Sequence, residues 1–183
     1  MSKEKSIIII DGGNFYHKLK SLSFHQLLSF DFQAFCSSLT RSTDLISCTY
    51  YVGEVKTTGT EKSQKMYDAQ QRLLGHLKKS RLWYTFGYLL KDGDGVYHEK
   101  GVDVHMAVDI LVATYENLCD RIILVSSDTD LIPAIKKAQA KGKIVEYIGF
   151  SHQKSIALLT SYKEARLLTN AAKEANKMQR NIG

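Results

Sequence analysis

Short apolar runs alternate with longer amphipathic stretches along this chain, the order expected when parallel strands are joined by crossover helices. The run at residues 6–10, SIIII, is typical of a central strand buried on both faces. Further predicted strands cover residues 45–52, 82–90, 121–125 and 144–148, and the predicted helices cover residues 31–41, 61–80, 102–119 and 131–141. The pattern indicates an α/β fold with a mostly parallel central sheet.

Residue types at the ends of two helices support these boundaries. Asp31 stands where a helix N-cap is expected, just before an apolar stripe that begins at Phe32. Pro133 lies in the first turn of the helix at 131–141, where its missing N–H costs little, and Gly142 follows the last turn. Both segments therefore have sequence signals at a terminus as well as an apolar period.

Three further segments complete the predicted elements. Turn residues at 91–95 precede the short segment 96–99, which predicts a hairpin with the strand before it. Residues 164–169 are predicted to form a short edge strand ahead of a polar helix. The helix at 102–119 carries an apolar series at helical spacing, consisting of Val104, Val108, Leu111, Val112 and Tyr115.

Composition places the chain among single-domain globular proteins. It has 183 residues, 44% of them hydrophobic, and a single proline. We expect one domain over residues 1–170 and a polar helical tail over residues 171–183. The cysteines, Cys36, Cys48 and Cys119, are odd in number and form no CxxC pair, which argues against a disulfide framework or a structural zinc site. The N-terminal apolar run is too short for a signal peptide and no segment is long enough to span a bilayer, so a cytoplasmic location is expected.

The charge balance favours a polyanionic partner. The chain has 25 basic and 19 acidic residues, a net charge of +6, and its pI is about 9.1. Aromatic residues near the helix at 61–80, including Trp83 and Tyr84, would stack unpaired bases if nucleic acid binds there. The residues predicted to hold a nucleic-acid backbone are Lys62, Lys65, Arg72, Lys78 and Lys79, with Lys56 and Arg81 beside them. The alternative is an ordinary solvated helix above core aromatics, which accounts for most of these side chains.

Acidic residues stand at the ends of two predicted strands. Asp11 ends the first strand, Asp128 and Asp130 follow the strand at 121–125, and Asp103 opens the helix between. If the two strands are neighbours, these carboxylates converge at the carboxyl edge of the sheet, where ligands bind in such folds. Crowded carboxylates take up protons or bind a hard cation such as Mg²⁺, which keeps waters and leaves room for a phosphate. Setting these four acids aside leaves 25 basic and 15 acidic residues, so the surroundings would be strongly positive.

Each of these acids also has a purely structural interpretation. Asp11 before Gly-Gly fits an Asx turn, and Asp128 or Asp130 fits a helix cap. Asp103 favours its own helix N-terminus through the helix dipole. The functional hypothesis rests on all of them falling at one predicted edge of the sheet.

Four neighbouring residues are secondary candidates. Asp109 lies six positions after Asp103, about 240° around the helix, so it does not share a narrow face with Asp103 and is equally a paired core carboxylate. Asn14 would orient a ligand or a water, or cap a helix. Ser126 and Ser127 would donate hydrogen bonds to Asp128 or to a phosphate, or merely close a turn.

Three stretches of the sequence resemble the NYN-domain family, in the LabA-like branch of the PIN-like nucleases. They are IIIIDGGNF at the first strand, KGVDVHMAVDILVAT in the middle, and ILVSSDTDLIPAIKKAQAKGKIVEYIGF after it, within a match from Ser6 to about Leu168. The resemblance implies a three-layer α/β/α sandwich and a ribonuclease site that uses Mg²⁺ or Mn²⁺. By position it assigns the site acids to Asp11, Asp103, Asp128 and Asp130, with Asp109 as a recurrent helix acid.

Two positions depart from the family pattern. Ser127 stands where many relatives have glycine, which changes the loop and leaves the acids in place. Relatives often have an aspartate near the C-terminal edge, where Glu164 is the acid that could replace it here.

The leading hypothesis is a metal-dependent endoribonuclease that cuts single-stranded or loop RNA. Asp11, Asp103 and Asp128 would hold Mg²⁺ or Mn²⁺, and Asp130 would position the metal or the attacking water. The alternative is a non-catalytic RNA-binding or regulatory scaffold protein. A phosphatase with Asp11 as nucleophile is disfavoured because Gly13 stands where a second acid is needed. RNA is the expected partner and no membrane is expected; the sequence leaves open a homodimer or a protein partner.

Overall fold

A seven-stranded sheet runs through the part of the chain that the computed structural model describes, which comprises residues 3–91, 97–151, 160, 162 and 164–168. Its strands are β1 (Lys5–Asp11), β2 (Asp44–Gly53), β3 (Trp83–Lys91), β4 (Tyr97–Lys100), β5 (Arg121–Val125), β6 (Ile144–Phe150) and β7 (Glu164–Leu168). They lie in the order β4-β3-β2-β1-β5-β6-β7, and every neighbouring pair is parallel except β3 and β4. The predicted parallel sheet, the antiparallel pairing of the hairpin and the edge strand are confirmed. The tail predicted at residues 171–183 lies outside the described residues.

Helices cover both faces of this sheet. They are α1 (Gly12–Ser21), α2 (Phe32–Leu39), α3 (Glu61–Lys79), α4 (Val102–Tyr115) and α5 (Ile132–Ala140), with single 3₁₀ turns at Leu27–Ser29 and Thr129–Leu131. The first three pack on one face and α4 and α5 on the other, which gives the expected three-layer α/β/α sandwich. The apolar pattern does not predict α1, because its Gly-Gly start resembles a turn. None of the described helices is long and apolar enough to cross a membrane.

The apolar run of β1 supplies both halves of the core. Ile8 and Ile10 pack in the cluster that includes α1, α2 and α3, whereas Ile7 and Ile9 pack beneath α4 and α5. Successive side chains of a strand point to opposite faces, so only a strand covered on both sides is apolar at every position. This explains why the run has no polar alternation.

Helix α4 turns a different side to the core from the one its spacing suggests. Its buried residues include Val102, Met106, Ile110 and Ala113, while the predicted apolar series lies largely on the outer side, with Val104 62% exposed. The helix is apolar nearly all round, so its period alone does not identify the buried face. It also ends at Tyr115 rather than at residue 119, because the chain turns through Asn117 in the left-handed conformation (φ 55°).

The predicted helix termini are confirmed at two places. The backbone N–H of Ala34 donates to the Asp31 carboxylate at 2.8 Å, so Asp31 caps α2. Pro133 lies in the first turn of α5, and Gly142 follows that helix with φ at +85°. These local signals act within one turn of the chain, so the rest of the fold does not alter them.

Candidate active site

Asp11 is the last residue of the central strand β1 and lies at the carboxyl edge of the sheet, next to the end of β5. Ile10 of β1 is in register with Val125 of β5, so the next residues of the two strands, Asp11 and Ser126, lie side by side. The Ser126 hydroxyl donates a hydrogen bond to Asp11 Oδ2 at 2.9 Å, and both residues are buried. Parallel pairing therefore joins residues that are 115 positions apart in the sequence.

A close helix–strand contact holds the backbone beside Asp11. The backbone N–H of Asn14 donates to Asp11 Oδ1 at 2.9 Å, so Asp11 caps α1. A Cβ on Gly12 would lie 2.3 Å from the Tyr50 ring and 2.6 Å from the Tyr51 carbonyl oxygen, so glycine alone fits at this first helical position. The Tyr50 hydroxyl donates to the Gly12 carbonyl at 3.1 Å.

Asp128 is held next to Asp11 by the same serine. Its backbone N–H donates to Ser126 Oγ at 3.1 Å, and its side chain accepts from the Asp130 N–H at 2.8 Å. It therefore caps the 3₁₀ turn before α5, the structural role considered from the sequence. Ser126 bonds Asp11 as well as the Asp128 backbone, and the Ser127 hydroxyl donates to Asn14 Oδ1 at 2.8 Å. Side-chain hydrogen bonds thus join the loop after β5 to the end of β1 and to the first turn of α1.

The Asp11 carboxylate carries an electrostatic penalty. It is 6% exposed, and burial raises its pKa above the ordinary value of 3.8. The hydrogen bonds from Asn14 and Ser126 partly oppose this shift, and the negative charge of Asp128 adds to it. A proton or a cation at this edge would relieve the penalty, and such perturbed groups concentrate at functional sites.

The donor set of this edge suits a hard divalent cation. The Asp11 carboxylate accepts hydrogen bonds from the Asn14 and Gly13 backbone N–H groups and from the Ser126 hydroxyl, and a carboxylate has about four lone-pair sites, so it retains one for a cation. Mg²⁺ is commonly bound by one or two carboxylates, with waters and phosphate oxygens completing its shell, so Asp11 and Asp128 form a sufficient protein contribution. Within the described residues, no group of three His, Cys, Asp or Glu side chains is arranged to hold an ion.

The other two predicted site acids lie in helical first turns. Asp103 is half-buried in the first turn of α4, which begins after Gly101 in a left-handed conformation (φ 82°). Asp130 is exposed in the 3₁₀ turn that Asp128 caps. The structure brings Asp11 and Asp128 together and does not gather Asp103 with them as a third ligand. The three-carboxylate set stays a prediction.

Asp109 has a structural partner. The Tyr51 hydroxyl donates to Asp109 Oδ2 at 2.6 Å beneath α4. Burial, followed by this hydrogen bond and the charge of Asp109, raises the pKa of Tyr51 and keeps the phenol protonated. Of the two interpretations given from the sequence, this geometry matches the paired core carboxylate. No signal in the sequence alone identifies Tyr51 as the partner, because the contact joins positions on two separate elements.

Glu164 lies at the opposite end of the sheet from Asp11. It begins β7 and forms an ion pair with Arg121, the first residue of β5, which also contacts Glu146 and Glu4. Strands β5 and β7 point the same way, so their first residues lie away from the carboxyl edge. Glu164 therefore does not replace the C-terminal aspartate of the family pattern at this site, and it instead holds an edge strand to the sheet.

The basic residues of α3 are exposed but extend along the helix rather than around the acidic edge. Strand β2 ends at the carboxyl edge of the sheet, and α3 begins there and runs back to the opposite edge, where β3 begins. Lys62 and Lys65 therefore lie at the same edge as the acids, and Lys78 and Lys79 lie at the opposite edge. Sixteen residues separate Lys62 from Lys78, about 24 Å along the axis. Lys65 also pairs with Glu61 at 2.5 Å. The structure thus divides the predicted basic surface into two parts.

An α/β/α sandwich with acidic residues at the carboxyl ends of its neighbouring central strands is the architecture of a PIN-like domain. The model of the NYN domain matches residues 5–172, and the chain belongs to the NYN domain family. Among solved structures, it is similar to the crystal structure of VPA0982, a protein of unknown function from Vibrio parahaemolyticus RIMD 2210633. The TM-score is 0.66 at 21% identity, over 92% of this chain and 95% of the other, which shows a shared fold. No curated protein matches the sequence.

Proposed function

We propose that this protein is a metal-dependent endoribonuclease that hydrolyses phosphodiester bonds of single-stranded or loop RNA. The observation that carries the proposal is the pair Asp11 and Asp128, joined through Ser126 at the edge between β1 and β5. Membership in a family of PIN-like nucleases supports the reaction class, and the net charge of +6 suits an RNA substrate. The LabA-like branch, suggested by the sequence motifs, is part of this proposal.

In this proposal each acidic residue has its own role at the metal site. Asp11 and Asp128 hold Mg²⁺ or Mn²⁺, with Asp103 as a further ligand and Asp130 positioning the ion or the attacking water. A divalent cation bound there supplies a lowered pKa for water and offsets charge on the scissile phosphate. Ser126 keeps the Asp11 carboxylate in one orientation by its hydrogen bond.

Asn14 has a separate role in this proposal. Its amide oxygen already accepts from Ser127, so the amide N–H groups are the part of the side chain offered to a phosphate oxygen. Lys62 and Lys65 stand at the end of α3 near this edge, where they favour approach of the RNA backbone.

The test is cleavage of end-labelled single-stranded RNA in Mg²⁺, Mn²⁺ or EDTA, with duplex RNA and single-stranded DNA as comparisons. Asp11→Asn and Asp128→Asn should lower the rate at least a hundredfold while binding persists. Asp68→Asn, the same change at an exposed position on α3, should cleave like the wild type. Cleavage that survives both EDTA and the Asp11→Asn change would refute the proposal.

A second candidate is a non-catalytic RNA-binding or regulatory scaffold. The observation in its favour is that Asp11 and Asp128 each cap a helical turn, a role that the fold requires without any reaction. Wild-type protein that binds RNA and leaves it intact in every metal would select this function, because acids and fold can persist without catalysis.

A further inference from the structure

The chain has a single tryptophan, and the structure leaves it on the surface. Trp83 is the first residue of β3 and is 71% exposed. With Lys78, Arg81, Leu82 and Tyr84 it lines an open groove of about 720 Å³. A volume of this size is ordinary for a small-molecule site. The roles described for the acidic edge leave this groove without a function.

The local backbone fixes the groove. After α3 the chain turns through Arg81 in a left-handed conformation (φ 63°), and the Leu82 N–H donates to the Leu77 carbonyl at 3.0 Å. The Leu82 side chain is buried in the core beneath α3, so the residue on each side of it is held at the surface. Strand β3 pairs with β4 from Tyr88 onwards, so the described structure places Trp83 on the part of β3 before that pairing begins.

The groove combines a flat apolar ring with positive charge. Lys78 Nζ lies 5.4 Å from the centre of the Tyr84 ring, a cation–π contact that holds the ammonium group over the groove wall. Arg81 is exposed beside it, and its guanidinium group suits bidentate recognition of phosphate. A ligand that matches both features has a planar ring and an adjacent anion, as a nucleotide has.

We propose that this groove binds one nucleotide unit of single-stranded nucleic acid, with the base stacked on Trp83 and the adjacent phosphate held by Lys78 and Arg81. Stacking on an exposed aromatic side chain beside cations is a general, sequence-tolerant mode of single-strand binding. An acidic peptide satisfies the cations but offers no flat ring to Trp83, which is why a nucleotide is the better match.

The register of the strands places Trp83 close to the acidic edge, whereas the Lys78 end of the groove lies farther from the acids. Trp83 is aligned with Thr49 of β2, and Thr49 with Ile9 of β1, two residues before Asp11. Trp83 and Asp11 are two strand spacings apart across the sheet and two residues apart along the strand direction, which gives a Cα separation of about 12 Å. The inference rests on the proposed function in one respect: the nucleic-acid molecule bound at Trp83 is taken to be the RNA that is cleaved at the acidic edge.

Trp83 is its own reporter, since no other tryptophan contributes to the fluorescence. We would titrate the Asp11→Asn variant in EDTA, so that no cutting intervenes, with a single-stranded RNA oligonucleotide, a nucleoside monophosphate, ribose 5-phosphate and an acidic peptide. Quenching is expected with the oligonucleotide, more weakly with the monophosphate, and not with ribose 5-phosphate. Quenching by the peptide alone, or by the monophosphate at lower concentration than the oligonucleotide, would overturn the proposal.

Variants then assign the binding energy. By anisotropy of labelled RNA, Trp83→Ala should weaken binding about tenfold, and Arg81→Gln should also reduce the dependence of log K on log salt by about one. The matched control is Tyr115→Ala on α4, since Lys141 Nζ lies 5.3 Å from the centre of this exposed ring in a similar arrangement. Equal losses for Trp83→Ala and Tyr115→Ala would refute the site. The proposed function is tested separately: Asp11→Asn should lose cleavage, while RNA should quench its Trp83 fluorescence as it does in the wild type.

Discussion

The contact between the start of α1 and strand β2 sets a strict size limit at Gly12. In Gly12→Ala the new Cβ would lie 2.3 Å from Tyr50 Cε1 and 2.6 Å from the Tyr51 carbonyl oxygen, closer than such atoms approach in proteins. The ring could rotate, but the carbonyl belongs to a central strand, so the backbone must move. Overpacking of this kind costs about 1–3 kcal/mol, and the backbone contact places this case near about 3 kcal/mol.

The measurement is thermal and urea unfolding of Gly12→Ala beside Gly75→Ala. For a chain of this length a loss of about 3 kcal/mol lowers Tm by about 6–12 °C. Gly75 lies within α3, and a Cβ there meets nothing within 4 Å. Gly75→Ala should therefore stabilise the protein by about 0.5–1 kcal/mol, because alanine loses less backbone entropy in a helix.

The same substitution thus has opposite signs at the two positions. The Gly12 change should also weaken stabilisation by Mg²⁺, since the displaced backbone adjoins Asp11. If Gly12→Ala changes the free energy of unfolding by less than about 0.5 kcal/mol, the helix and strand do not approach as closely as described, and the geometry argued for Asp11 fails with it.

Three further predictions concern the acids and their neighbours. Folded Asp11 holds its proton to a higher pH than the unfolded residue, because its pKa is raised. In EDTA the free energy of unfolding of the wild type should therefore fall as pH rises from about 3.8 through the raised pKa, and then level off. Asp11→Asn should lack this fall, and urea unfolding at a series of pH values between about 3.5 and 8 checks it. Mg²⁺ at a hundred times its Kd should stabilise the wild type by about 2.7 kcal/mol and leave the stability of the double variant Asp11→Asn/Asp128→Asn unchanged. Differential scanning calorimetry measures both. An equal increase in Tm for the two proteins would show that Mg²⁺ does not bind at Asp11 and Asp128. Tyr51→Phe leaves Asp109 without its 2.6 Å hydrogen bond and should lower the free energy of unfolding by about 1–3 kcal/mol. The folded variant should still cleave RNA. A loss of cleavage as large as that of Asp11→Asn would show that Asp109 takes part in the reaction.

Local signals in the sequence were sufficient for most of the elements. The apolar run before Asp11 predicts a strand covered on both faces, and Asp31 and Pro133 mark helix starts, because strand burial and helix capping depend on residues within a few positions of one another. Helix α4 shows the limit of such signals. Its apolar residues surround the axis, so the choice of Met106 and Ile110 for the core depends on which side meets the sheet.

The candidate site was predictable in its residue types and only partly in its contacts. Strand-end acids predicted a pocket at the carboxyl edge, and the adjacency of β1 and β5 brings Asp11 and Asp128 there. The bond from Ser126 to Asp11 depends on the register of two strands, and that of Tyr51 to Asp109 on how α4 lies over β2. Side-chain pairs more than 50 positions apart leave no spacing pattern in a single chain.

The alternation of strands and helices, the residue types at the strand ends and the resemblance to the NYN domain could all be predicted from the amino-acid sequence. The packing of distant segments was needed to see that Glu164 holds β7 to Arg121, away from the acids, and that Trp83 is exposed beside Arg81. The reason is physical: propensity and capping act along the chain, whereas strand order and register set which distant residues meet. A charge or an aromatic ring has the same letter in the core and on the surface, and its environment is fixed by the packing of the sheet.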